Sequence, residues 1–74
     1  MSNSDTLKGN WKQLKGNIRS HWAELTEDDV EGVKGDWQNL VGKIQEKYGI
    51  ARDKAEEQAS NFMRKAKDKL NSTA

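Results

Sequence analysis

One segment of this chain is written twice, and it dictates helix. Gly9-Asn10-Trp11-Lys12-Gln13-Leu14-Lys15-Gly16-Asn17-Ile18 returns 26 residues later as Gly35-Asp36-Trp37-Gln38-Asn39-Leu40-Val41-Gly42-Lys43-Ile44. Both copies read G-x-W-x-x-L-x-G-x-I, and four residues further on each meets an aromatic, Trp22 in one and Tyr48 in the other. Five identities at fixed spacing mark an internal duplication of one amphipathic element. Around the first copy, Leu7, Trp11, Leu14, Ile18, Trp22 and Leu25 recur every three or four residues. At helical geometry they share a stripe about 80° wide, with Lys8, Lys12, Lys15 and Arg19 off it.

Residues 1–6 read as a flexible leader, with Ser4 as the cap of a first helix that continues through Ile18 and frays near Trp22–Glu24. Thr26 then caps a short second helix over about 27–33, with Glu27, Asp28 and Asp29 in the first turn, where carboxylates favour the helix dipole. Asp29 holds the capping-box position, and Leu25 and Val30 are placed as a hydrophobic staple across the cap. The chain bends near Gly32 and Gly35 into a third helix, with Val33, Trp37, Leu40, Val41, Ile44 and Tyr48 on one face. Tyr48-Gly49-Ile50 ends it, Gly49 suiting a left-handed C′ position. A fourth helix starts near Arg52 and carries Ala55, Ala59, Phe62, Met63, Ala66 and Leu70. It is expected to fray beyond Lys65, leaving residues 66–74 as a basic helix end and a disordered tail from Asn71, and a helical domain over 7–65. The chain has no proline. The fold expected is all-α and compact, with four helices, the first and third forming the repeated pair.

Gly9 and Gly16, and again Gly35 and Gly42, fall opposite the apolar stripe. An interior helical glycine costs about 1 kcal/mol relative to alanine. Two readings stand side by side: a neighbouring helix approaches closely there, or the glycines face solvent.

The chain's 74 residues make one small domain, of a size that buries only about 60% of its unfolded surface. Hydrophobic residues are 32% and charged residues 34%, and mean hydropathy is −1.12. Ordinary domains run about 45–50% apolar and about 25% charged, so composition leans toward disorder. A net charge of only +1 leans the other way, and the placing of the apolar residues on helical stripes decides for folding. Without cysteine there is no disulfide, thiolate nucleophile or thiolate metal site. No apolar run approaches the roughly 20 residues of a membrane span, and no basic-then-apolar leader opens the chain. A monomeric cytoplasmic protein is expected.

No chemistry is legible. His21 is the only histidine, without further ligands at metal-binding spacing, and neighbouring Ser20 points about 100° away on a helix. It reads as a surface or boundary residue. Glu24, Glu27, Asp28, Asp29 and Glu31 fail the calcium-loop pattern and read as helix-start electrostatics. No glycine sits in a phosphate loop. Catalytic, cofactor and metal sites are therefore expected to be absent, and no small-molecule substrate is indicated. Trp11, Trp22 and Trp37 are assigned to the core rather than to base stacking, with Trp37 the exception to watch. Net charge is +3 over residues 1–23, −5 over 24–33, +2 over 34–54 and +1 over 55–74. This alternation argues for salt bridging between the first helix and the start of the second, and against a nucleic-acid-binding stripe.

Gly9-Asn10-Trp11-Lys12-Gln13-Leu14-Lys15-Gly16, Trp22-Ala23-Glu24-Leu25-Thr26-Glu27-Asp28-Asp29 and Leu40-Val41-Gly42-Lys43-Ile44-Gln45-Glu46-Lys47-Tyr48-Gly49 together resemble the CsbD-like family of small bacterial stress-response proteins. The resemblance spans about residues 8–60. Trp37 stands where relatives often carry a basic residue, and Ala51 where they often carry a Ser or Thr cap. The resemblance implies two helical hairpins, similar to a SAM-like fold, and brings no catalytic residue, cofactor or ligand. It implies a non-enzymatic general stress-response protein with an unidentified protein partner. A hydrophilin-like protectant against water loss is the alternative, and weak nucleic-acid binding stands third.

Overall fold

The computed structural model describes residues 2–71, with side chains as far as Lys69. Among them are five helices and no strand: α1 (Asn3–Gly9), α2 (Trp11–His21), α3 (Glu27–Val33), α4 (Trp37–Tyr48) and α5 (Arg52–Asn71). The radius of gyration is 11.5 Å, close to the roughly 11 Å of a compact chain of this length.

The expected first helix is two helices, and Asn10 is the reason. Its backbone N–H donates to the Thr6 carbonyl at 3.0 Å, and its side-chain amide donates to the same oxygen at 3.1 Å. An asparagine that bonds local backbone in this way competes with helix continuation, and Gly9 beside it weakens the turn further. Asn10 leaves helical geometry at φ −118°, ψ 24°. Leu7, Leu14 and Ile18 are all fully buried, whereas Trp11 is only partly buried against the core. The break thus takes Trp11 out of the centre of the stripe expected for one straight helix.

The leader is also shorter than expected. Ser2, not Ser4, caps α1 by accepting the Asp5 N–H at 3.2 Å, and Thr6 is 7% exposed.

The start of α3 matches its sequence signature. Thr26 Oγ1 accepts the Asp29 N–H at 3.1 Å, and Asp29 Oδ2 accepts the Thr26 N–H at 3.1 Å. Leu25 and Val30 are both buried. Two left-handed residues, Lys34 (φ 54°) and Gly35 (φ 72°), turn the chain into α4. Asp36 then caps α4 by accepting the Asn39 N–H at 2.9 Å. A Cβ at position 35 would lie 3.3 Å from Lys8 Cα and 3.5 Å from Trp11 Cβ, so this turn is pressed against the α1–α2 junction. Gly49, at φ 61°, ends α4 where expected.

Helix α4 packs on α1, α3 and α5, and Leu40, Val41 and Ile44 expose nothing. Val33, expected on this helix, ends α3 instead and is buried there. Helix α5 runs past Lys65 to Asn71. Ala66 is only 6% exposed, and Lys67 Nζ donates to Asn3 Oδ1 at 2.8 Å. The expected fraying from residue 66 is therefore corrected: α1 packs on α5 and gives its weakly apolar face something to cover. The place of the Leu70 side chain and the expected tail over 72–74 lie outside the described residues.

The glycine question resolves unevenly. A Cβ at Gly9, Gly16 or Gly42 would meet nothing within 4 Å, and only Gly35 has a close neighbour.

Two stability measurements follow from this packing. Ile44→Ala is expected to cost about 2–5 kcal/mol, out of a total near 4–11 kcal/mol for a domain of this length; an unchanged urea midpoint would contradict the core. Gly16→Ala, in an exposed helix interior, is expected to add about 0.5–1 kcal/mol. Destabilisation on the same urea curve would show a contact at Gly16.

Candidate interaction surfaces

The aromatic end of α2 closes onto α5. Trp22 is 2% exposed, and its Nε1 donates to Gln58 Oε1 at 3.2 Å. Its ring lies 5.0 Å from Phe62, centroid to centroid. Exposed His21 stands edge-on to Trp22 at 4.5 Å and lies 5.2 Å from Phe62. Beside this cluster runs an open groove of about 310 Å³, lined by Asn17, Ser20, His21, Phe62, Lys65 and Lys69 among others. Ser20 and His21 both border it, although their helical offset was expected to separate them, and no hydrogen bond joins them. Phe62 is only 6% exposed, so the groove offers imidazole and ammonium groups rather than an aromatic face. Among the described residues, no three His, Asp or Glu side chains gather closely enough to hold a metal ion.

The acidic cluster divides by role. Asp29, 12% exposed, completes the α3 cap and also reaches α4, with Lys47 Nζ 3.3 Å and Lys43 Nζ 3.5 Å from its carboxylate. The Thr26 backbone N–H first, and Lys47 after it, hold the Asp29 carboxyl down at about 2 from an ordinary 3.8, against partial burial that would raise it. Glu31 pairs with Lys15 of α2 at 3.2 Å. Charge pairing between α2 and α3 is thus present, but at Glu31 and not at the start of α3 where it was expected. The more shielded contact is the one between α3 and α4, which the alternation of charge did not indicate.

Four partners were beyond reach of the sequence pattern. Gln58 for the Trp22 indole, Lys43 and Lys47 for Asp29, and the Tyr48 hydroxyl, which accepts the Glu24 N–H at 3.1 Å, all act across tertiary contacts. Tyr48, at 37%, is the one large hydrophobic residue that is exposed among those described. Of the three tryptophans, only Trp22 is buried; Trp11 and Trp37 are partly buried at the edge of the core, so the core assignment is corrected at Trp11 as well as at Trp37, the exception expected.

A sequence model of the CsbD-like family matches residues 5–57. The chain is similar to UPF0337 protein PA4738 of Pseudomonas aeruginosa, at 47% identity over 60 residues, 81% of this chain and 92% of that protein. It is likewise similar to UPF0337 protein YjbJ of Escherichia coli K12, at 48% over 60 residues, 81% and 87% of the two chains. UPF0337 protein XAC4007 of Xanthomonas axonopodis is 41% identical over 66 residues, 89% and 96% of the two chains. These matches indicate no catalytic family. No solved structure matches the chain.

Asp29 makes stability depend on acid. Its folded value lies below its unfolded one, so its contribution is complete above about pH 4 and is lost as pH falls toward 2. Thermal melts of wild type and Asp29→Asn should differ at pH 6 and converge near pH 2. A constant difference across that range would remove Asp29 from the acid response.

Proposed function

Since this chain belongs to the CsbD-like family, we propose that it is a non-enzymatic general stress-response protein, working as a folded helical module that acts by binding rather than by chemistry. The observation that carries this reading is the burial pattern. A chain with 32% hydrophobic residues places Leu7, Leu14, Ile18, Leu40, Val41, Ile44 and Met63 at 1% exposure or less. A protectant acting through hydration alone has no use for that degree of packing. The proposal includes an internal duplication and, with it, the two-hairpin arrangement. Its support is that both copies of the repeat begin a helix at their tryptophan, α2 at Trp11 and α4 at Trp37.

The hydrophilin-like alternative keeps one observation in its favour. Charged residues are 34% of the chain, and its mean hydropathy of −1.12 suits a protein that accumulates without aggregating. A cytoplasmic monomer is part of the proposal. What bears on it is that no helix among the described residues is long and apolar enough to cross a membrane.

Amide hydrogen exchange followed by heteronuclear NMR separates the two readings. The module predicts dispersed peaks and a cooperative set of slow amides in α4 and α5, exchanging only by global opening. Collapsed dispersion with uniformly fast exchange would leave the protectant.

A further inference from the structure

The turn at Gly35 brings together two features that the rest of the surface keeps apart. Because this turn is pressed on the α1–α2 junction, with Lys8 Cα and Trp11 Cβ within 3.5 Å of a Cβ at position 35, the two repeat tryptophans flank one place. Trp11 starts α2 and Trp37 starts α4, and each is packed on the core by one part and open by the rest. Around them stand Lys8, Lys12 and Lys34, all exposed and, among the described residues, without an ion pair or hydrogen bond. Lys34 lies in the left-handed turn itself, at φ 54°.

We propose that this surface, Trp11 and Trp37 with Lys8, Lys12 and Lys34, is a binding face for single-stranded nucleic acid. It rests on the module reading and names a partner class for it. Single strands offer what the face is equipped to meet: phosphates for the ammonium groups and base faces for indoles, whatever the base sequence. Three lysines here outnumber the two unpaired carboxylates nearby, Asp36 and Asp5, which both keep their charge. Asp36 accepts the Asn39 N–H, and Glu31 is paired with Lys15; Asp5 on α1 remains exposed. The acidic start of α3 lies a helix length from Lys34, about 10 Å away, and its Asp29 is paired with Lys43 and Lys47. A lipid surface fits less well. Neither tryptophan protrudes enough to rank with Tyr48 among the exposed large hydrophobic residues, whereas interfacial anchoring sinks an apolar face about 5–10 Å into the bilayer. The low net charge of +1 limits strength, not location: binding belongs to low salt.

The test is fluorescence anisotropy of a labelled oligo-dT strand titrated with the full chain across a salt series, every variant first checked by thermal melting. Three lysines imply a log–log salt slope near −2, so that going from about 50 to about 200 mM salt weakens binding roughly 20-fold. The triple variant Lys8→Gln, Lys12→Gln, Lys34→Gln should weaken low-salt binding by about tenfold or more and flatten the slope. Trp37→Leu should weaken it about fivefold or more. A triple variant of equal charge elsewhere, Lys54→Gln, Arg64→Gln, Lys65→Gln, should stay within about twofold of wild type. Equal loss from the two triples would overturn the assignment, as would no binding at low salt by a protein that melts cooperatively. The latter result would leave the module reading intact, whereas failure of the wild-type chain to melt cooperatively would sink that reading itself. Tighter binding to phosphatidylserine vesicles than to the oligonucleotide, through the same three lysines, would reassign the face to membranes.

Discussion

Helix α4 is the part against which the rest of the molecule is assembled. Its Leu40, Val41 and Ile44 are completely buried, and α1, α3 and α5 all pack on it. Each such side chain contributes about 1.5–3 kcal/mol when fully removed from water, a large share of what a chain this short has available. Both ends of α4 are fixed by independent local devices, the Asp36 cap and left-handed Gly49. Its two ends are therefore defined locally, while its stability depends on the helices that pack on it.

The repeated segment takes on a clearer meaning in the folded chain. In each copy the tryptophan begins a helix, preceded by a short polar residue, Asn10 or Asp36, and by a glycine. The two polar residues behave differently. Asp36 turns its carboxylate forward onto its own helix, while Asn10 turns its amide back to Thr6. One repeat therefore opens after a sharp turn and the other after a break in a nearly continuous helix. Gly35 lets the two places touch.

Local devices were readable in the residues because they are local. The Thr26–Asp29 box, the stop at Gly49 and the buried Leu-Ile stripes depend on neighbours within a turn or two. The break at Asn10 was not readable, since periodicity records where apolar side chains fall and not which carbonyl an amide prefers. The reach of α5 was hidden for another reason. Ala55, Ala59 and Ala66 look weak as an apolar face, yet small side chains suffice where other helices lie close, and all three are buried. At the surfaces, the absence of a recognisable reaction motif could be read directly. The company kept by Trp11, Trp37 and the lysines could not, because it depends on a turn from the second repeat closing on the first.

The bond from Lys67 to Asn3 joins the last helix to the first, and α1 packs on both α4 and α5. During synthesis α1 leaves the ribosome before either of the helices that shelter it. Domains commonly begin to fold from the end made first, but here α1 has only part of its shelter, the part given by α4, until α5 has emerged. Acquisition of the native state is consequently deferred until translation has carried α5 clear of the exit tunnel.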